Sequence, residues 1–190
     1  TEFILNNTKI STSEPNGMTL LDFIRYNKHL VGTKIGCREG DCGACTVLIG
    51  SLEEDKVVYK SMTSCITPLG NAQGKHVVTV EGLNMDDLSP VQKAMVDESG
   101  TQCGFCTPGF VVSLSGFAMS DEKPTCENAI SSIDGNICRC TGYKSIERAA
   151  EVIANDLTSK MLDNPVQWAV DNDFVSKYFS EIEAKLQELS

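Results

Sequence analysis

Long hydrophobic runs, an excess of positive charge and a secretion-type leader are all missing from this sequence. Its apolar runs, such as residues 46–49 and 111–112, fall far short of the length that crosses a bilayer. The N-terminus shows no basic region followed by an apolar segment. From these absences we expect a soluble protein of the cytoplasm.

Charge is unevenly distributed, and its sign argues against two classes of partner. The formal net charge is −10. Residues 1–85 carry eight basic and nine acidic side chains, whereas residues 86–190 carry eight basic and seventeen acidic ones. Such a surface repels phosphate backbones and anionic lipids, so we expect neither nucleic acid nor a membrane surface as a partner.

Motifs for hydrolytic or phosphate chemistry are also missing. The sequence contains no recognisable Ser-His-Asp arrangement and no Gly-Lys phosphate loop. The two histidines, His29 and His76, are isolated, and we expect neither to bind a metal. We predict no catalytic residue on this chain.

Cysteine, in contrast, is abundant. Nine cysteines occur in a chain that is long enough to bury an apolar core without disulfide staples. Because the cytosol keeps thiols reduced, metal binding or redox chemistry is the leading interpretation.

The hydrophobic patterns predict an α+β chain in three segments. Residues 1–84 contain short β-branched runs and one helical pattern that Thr19 can cap, which predicts a small mixed sheet crossed by a helix. Residues 85–163 are predicted to be helical, starting at Ser89-Pro90, with helices over 90–98, 108–119, 125–132 and 144–162. Residues 164–190 predict an amphipathic helix or a linker, which packs on its own domain or docks on a partner.

The first cysteine motif is the stretch "GCREGDCGACTV", and it has the spacing of a plant-type [2Fe-2S] site. The three cysteines Cys37, Cys42 and Cys45 need a distant fourth thiolate, and Cys65 is the remaining cysteine of this half. The glycines Gly36, Gly40 and Gly43 permit positive φ angles, so that the loop can aim N–H groups at the sulfurs. Structural zinc is the weaker alternative, because zinc sites usually come as two short cysteine knuckles.

The second set comprises Cys103, Cys106, Cys138 and Cys140, and its spacing is less specific. The residues alone leave three interpretations open: an iron–sulfur cluster, a zinc site, or a thioredoxin-type redox pair in "CGFC". Cys126 is left over, and we interpret it as a free cysteine.

Both halves together resemble one known family. The stretches "GCREGDCGACTVLIG", "SCITP", "QCGFCTPGFVVS" and "GNICRCTGYKSI" are similar to the two-[2Fe-2S] iron–sulfur subunit of the xanthine dehydrogenase (molybdenum hydroxylase) family, over about residues 2–160. Within that family, Arg38 and Asp41 most resemble bacterial xanthine dehydrogenases. One departure is "CTGYKSI", where Lys144 and Ser145 replace the usual Arg-Pro pair.

The resemblance implies a fold, two clusters and an electron-transfer function. It implies a β-grasp, ferredoxin-like domain that binds one [2Fe-2S] cluster, followed by an all-α four-helix-bundle domain that binds a second one. Electrons would pass from molybdopterin on a large partner subunit, through both clusters, to FAD on another subunit or domain, during hydroxylation of a purine or related N-heterocycle. This oxidoreductase subunit would perform no substrate chemistry alone. The implied ligands are Cys37, Cys42, Cys45 and Cys65 for cluster 1, and Cys103, Cys106, Cys138 and Cys140 for cluster 2, with Gln102 and Cys140 near the molybdopterin.

Overall fold

A computed structural model describes residues 1–189 of the chain. Within them, the strands lie between Glu2 and Val78, and the helices longer than two turns lie after residue 89. The chain is therefore α+β, as the hydrophobic patterns predicted. None of the helices in this range is long and apolar enough to traverse a lipid bilayer.

Five strands form one mixed sheet with the order β2-β1-β5-β3-β4. The hairpin between β1 and β2 turns at Asn6-Asn7, with Asn6 in the left-handed region at φ 54°. Strand β5 runs parallel to β1 and antiparallel to β3, and thereby joins the two hairpins. The strand bounds are β1 (Glu2–Leu5), β2 (Thr8–Ser11), β3 (Thr46–Glu53), β4 (Lys56–Thr63) and β5 (His76–Val78).

One short helix covers a face of this sheet. Helix α1 (Leu20–Asp22) starts at Thr19, whose hydroxyl accepts a hydrogen bond from the Asp22 N–H at 3.1 Å, and it continues as a π-helical turn over Phe23–Asn27. Its apolar side joins a core cluster with the sheet that includes Phe3 and Val47. The predicted helix across a small sheet is thus present.

Four further helices follow and share one core. Helix α2 begins with a capping box, in which Ser89 and Gln92 exchange hydrogen bonds between side chain and backbone. Helix α3 is almost completely buried, because it lies between the other helices and the sheet. Their bounds are α2 (Pro90–Asp97), α3 (Thr107–Ala118), α4 (Cys126–Ser131) and α5 (Lys144–Asp156).

Helix α5 ends six residues earlier than the sequence pattern predicted. After Asp156 the chain turns, and the side chain of Lys160 points inward, where its ammonium donates to the Phe117 carbonyl at 3.2 Å. This contact places a cation at the C-terminal end of α3, where the helix dipole favours positive charge. The tertiary contact of Lys160 therefore replaces the continuation of the helix.

The C-terminal segment is divided into short helices and packs on its own chain. The sequence predicted an amphipathic helix or a linker over residues 164–190, and a single helix is not formed in residues 164–189, because Asp173 adopts φ 57° and Ser176 is extended. The observed elements are α6 (Pro165–Asp171), a 3-10 turn (Lys177–Glu181) and α7 (Ile182–Gln187). The apolar side chains of the segment are buried: Trp168, Phe174, Val175 and Phe179 in the helical core, Ile182 and Leu186 against Ile4.

Candidate metal centres

The first cysteine set lies at one end of the sheet. Cys45 directly precedes β3 and Cys65 follows β4, and the register Thr46↔Thr63 brings these two strand ends together. The hydroxyl of Ser64 donates to the Cys45 carbonyl at 2.7 Å and fixes this contact. Sheet register thus explains how a fourth cysteine, distant in sequence, reaches the three-cysteine loop.

The four thiols of this set contact each other in two pairs. Neighbouring thiols influence each other's pKa in two pairs, Cys42 acting on Cys37 and Cys45 acting on Cys65. The Glu39 N–H, which donates to the Cys37 sulfur at 3.4 Å, is the largest contribution that lowers the pKa of Cys37 to about 6. Burial, together with the neighbouring Cys45, raises the pKa of Cys65 to about 11.

The loop conformation agrees with the predicted role of its glycines, with one difference. Gly40 and Gly43 have φ angles of 84° and 67°, and Arg38 also has a positive φ of 61°. Gly36 is needed for close approach instead, because a Cβ there would lie 2.6 Å from the Cys42 sulfur. Arg38 is held by a bidentate ion pair with Asp22 at 2.8 and 3.2 Å, which also lowers the pKa of that carboxyl group.

The second cysteine set lies where helix α3 begins and before helix α5. Cys106 is the residue that precedes α3, whereas Cys138 and Cys140 lie in the loop that leads to α5. These thiols also influence each other's pKa in pairs, Cys138 acting on Cys106 and Cys103 acting on Cys140. The Thr141 hydroxyl donates to the Cys138 sulfur at 3.1 Å.

The pairing of the thiols fits a binuclear cluster. Tetrahedral zinc takes four ligands on one metal ion. A [2Fe-2S] cluster instead takes two protein ligands on each of its two irons, which matches two contacting pairs. Four adjacent thiolates repel each other, and the positive charge of bound metal removes this penalty.

The thiol–disulfide alternative has no support in the geometry. Burial, followed by the contact with Cys138, raises the pKa of Cys106 to about 12, whereas a nucleophilic cysteine needs a lowered pKa. The side chain of Cys106 is paired with Cys138, and Cys103 is paired with Cys140. The pairs therefore join two distant segments, which is unlike a redox pair within "CGFC".

The remaining candidate residues lie outside both cysteine sets. Cys126 is an exposed free cysteine in the first turn of α4. His76 is buried and bonded to Tyr59 and the Asn6 carbonyl, at 2.7 and 2.8 Å. Gln102 is exposed, directly before Cys103. Sequence reasoning missed Asn136, a buried polar residue between the two sets, because nothing in its local pattern marks it.

Comparison with known proteins agrees with this geometry. The family described as "2Fe-2S iron-sulfur cluster binding domain" matches residues 3–70, and the family described as "[2Fe-2S] binding domain" matches residues 79–151. A solved chain of quinoline 2-oxidoreductase from Pseudomonas putida 86 is 32% identical, with a TM-score of 0.69 over 83% of this chain and 94% of that chain. Xanthine dehydrogenase from Blastobotrys adeninivorans is 46% identical over 158 residues, which are 80% of this chain.

This chain belongs to the xanthine dehydrogenase family of molybdenum hydroxylases. It carries two [2Fe-2S] domains. Aldehyde oxidoreductase from Desulfovibrio desulfuricans has a TM-score of 0.70 at 28% identity, over 98% of this chain and 22% of that chain. The chain spans 11% of the length of the curated Blastobotrys relative, so it corresponds to a small part of that protein.

Proposed function

We propose that this chain relays electrons from a molybdopterin centre through two [2Fe-2S] clusters to FAD, during hydroxylation of a purine or related N-heterocycle. The observation that carries the proposal is the gathering of eight cysteines into two sets, each made of two contacting pairs. The substrate class is supported by the relatives, whose names specify xanthine and quinoline.

The proposed ligands follow the two sets. Cluster 1 would be held by Cys37, Cys42, Cys45 and Cys65, and cluster 2 by Cys103, Cys106, Cys138 and Cys140. When bound, each cluster supplies one-electron redox chemistry, which divides the two electrons released by a hydroxylation. Hydrogen bonds to sulfur and burial are the means by which the chain tunes such chemistry.

We propose two domains and a C-terminal extension. Residues 1–84 would form a β-grasp, ferredoxin-like domain, which is supported by a five-stranded sheet covered by helix α1. Residues 85–163 would form a four-helix bundle, which is supported by the shared core of helices α2 to α5. Residues 164–190 would extend this domain, since the described part of the segment buries its apolar side chains on the same chain.

The two ends of the relay would face different partners. Cys103 and Cys140 are exposed, and the neighbouring side chains of Phe105 and Ile137 are 46% and 52% exposed, which suits contact with a molybdopterin-binding large subunit. Gln102 lies beside them, where its free amide can donate and accept hydrogen bonds with a pterin. The exposed loop around Arg38 would face the FAD-binding subunit or domain.

We further propose a cytoplasmic location. All nine cysteines are free in residues 1–189, and reduced thiols persist in the cytosol. The net charge of −10 disfavours nucleic acid and anionic membrane surfaces as partners.

The proposal is tested by metal analysis of anaerobically purified protein. About four irons and four acid-labile sulfides per chain are expected for two [2Fe-2S] clusters, with two distinguishable EPR signals after dithionite reduction. Zinc without sulfide would contradict the proposal and favour a structural zinc protein.

A further inference from the structure

The two cysteine loops touch each other directly. The backbone N–H of Ile137 donates to the carbonyl oxygen of Cys42 at 3.0 Å. Cys42 belongs to the first set, and the residue after Ile137 is Cys138 of the second set. One hydrogen bond therefore links Cys42 of the first set to the residue directly before Cys138 of the second set.

A buried asparagine lies next to this contact and binds three segments. Asn136 is 6% exposed, and its Nδ2 donates to the Gly43 carbonyl at 3.1 Å and to Thr46 Oγ1 at 3.4 Å. Its Oδ1 accepts from the Ser113 hydroxyl of helix α3 at 2.8 Å. The side chain thus joins the first cysteine loop, the second cysteine loop and α3.

The chemistry of the neighbours fixes the orientation of the Asn136 amide. The Gly43 carbonyl can only accept, so the amide must present its nitrogen to that oxygen. The Thr46 hydroxyl already donates to the same carbonyl at 2.6 Å, which leaves its lone pairs to accept from Asn136. Every hydrogen bond of the Asn136 amide is therefore specific in direction.

The segments approach so closely that side chains are excluded. A Cβ on Gly43 would lie 2.4 Å from the Gly135 carbonyl oxygen, and a Cβ on Gly109 would lie 2.3 Å from the Gly43 carbonyl oxygen. Backbone atoms at such distances cannot move aside as flexible side chains can. The two loops are consequently in close backbone contact around the Asn136 side chain.

We propose that Asn136 is a positioning residue that fixes the distance and orientation between the two cysteine sets, and thereby the magnetic coupling and electron exchange between the clusters they hold. Each exchange moves one electron from the reduced cluster to the oxidised one, and no bond is formed or broken. This inference rests on the cluster ligands proposed above.

The effect of Asn136 is local, because other contacts keep the two halves of the chain together. Helix α3 packs against the sheet, where Gly116 approaches the side chains of Leu48 and Ser61. The cysteines themselves are not bonded to the Asn136 side chain. Truncation at Asn136 is therefore expected to leave both cysteine sets assembled.

The test uses Asn136→Ala in the full chain with both clusters bound. We expect iron and sulfide contents equal to those of the wild type, a loss or change of the spin–spin interaction between the two reduced clusters in low-temperature EPR, and slower intercluster electron exchange after pulsed reduction. Asn136→Asp keeps the size and the acceptor for Ser113, but places an oxygen against the Gly43 carbonyl, so it should show the same changes. Asn128→Ala is the matched control, because Asn128 is a half-buried asparagine with only local hydrogen bonds.

Two results would overturn the inference. One is an Asn136→Ala protein with full iron, an unchanged spin–spin interaction and an unchanged exchange rate. If that variant loses iron, Asn136→Asp decides, since it removes the donor to Gly43 and Thr46 but keeps the acceptor for Ser113. Unchanged coupling of that variant at full iron then refutes the role. Absence of two cluster signals in the wild type would instead refute the proposed function.

Discussion

Replacing Gly109 by alanine tests the close approach between helix α3 and the first cysteine loop. Alanine is the better helix former, and in a free helix this change would stabilise by up to about 1 kcal/mol. Gly109 lies in the first turn of α3, three residues after Cys106. Here we expect the opposite sign, because the added methyl group meets backbone atoms.

The size of the effect follows from what the new Cβ would contact. It would lie 2.3 Å from the Gly43 carbonyl oxygen and 3.0 Å from Asn136 Nδ2. That oxygen accepts hydrogen bonds from the Thr46 N–H, the Thr46 hydroxyl and Asn136, at 3.1, 2.6 and 3.1 Å, so it cannot withdraw without breaking them. Overpacking costs about 1–3 kcal/mol and a lost hydrogen bond about 1 kcal/mol, which leaves a net loss of about 1–3 kcal/mol after the helix-propensity gain.

The assay is urea unfolding of the cluster-loaded chain, monitored both by circular dichroism and by cluster absorbance. Gly135→Ala is the matched control, because no atom lies within 4 Å of the Cβ position, and it should be close to neutral. Gly116→Ala on the same helix meets only the side chains of Leu48 and Ser61, at 2.8 and 3.1 Å, so its loss should be smaller. A Gly109→Ala protein as stable as the wild type would refute the close-contact reasoning.

Three further predictions concern separate residues. Cys126→Ser should retain the full iron content, since Cys126 is exposed and belongs to neither set. In contrast, Cys65→Ser should lose one cluster signal. Loss of a cluster signal in Cys126→Ser would show that the ligand assignment is wrong. Gln102→Ala should leave both clusters assembled and weaken pterin retention or slow turnover in the full complex, and unchanged turnover and cofactor content would exclude a pterin contact. Burial lowers the pKa of His76 from 6.5 to about 3, so the folded chain keeps it neutral while the unfolded chain binds a proton below about pH 6.5. The free energy of unfolding should therefore fall as pH drops from about 6.5 toward 3, with His76 contributing about 1.4 kcal/mol per pH unit. His76→Gln should flatten this slope in urea unfolding between pH 5 and 7, and equal slopes would contradict the assignment.

Sequence reasoning succeeded where short-range chemistry decides the structure. The spacing of Cys37, Cys42 and Cys45 sets how these thiols can be arranged, and β-branched runs indicated the strands of residues 1–84, which include β3 and β4. Helix-capping residues could also be predicted from the sequence, because the hydroxyls of Thr19 and Ser89 accept hydrogen bonds from N–H groups only three residues away.

Sequence reasoning failed where distant segments decide. The early end of α5 depends on the contact of Lys160 with the Phe117 carbonyl, forty-three residues away in sequence. The C-terminal segment is similarly divided into short helices because Trp168 and Phe179 pack against the core of the preceding domain. The spacing of apolar residues in the segment contains no information about the shape of that core. Asn136 belongs to the same class, since its partners Gly43 and Ser113 come from two other segments.

The exposed and buried residues of the two cysteine sets agree with a path for the proposed electron relay. Cys103 and Cys140 of the second set are exposed, and so is Arg38 in the loop of the first set. Between them, the second set reaches the first through the hydrogen bond from Ile137 to Cys42, beside the buried Asn136 amide. The Asn136 amide beside this contact is buried, whereas Cys103, Cys140 and Arg38 are exposed, which leaves each set accessible to a partner. A structural zinc protein does not need two adjacent cysteine sets that are each accessible to a partner, so the arrangement favours electron transfer over a structural role.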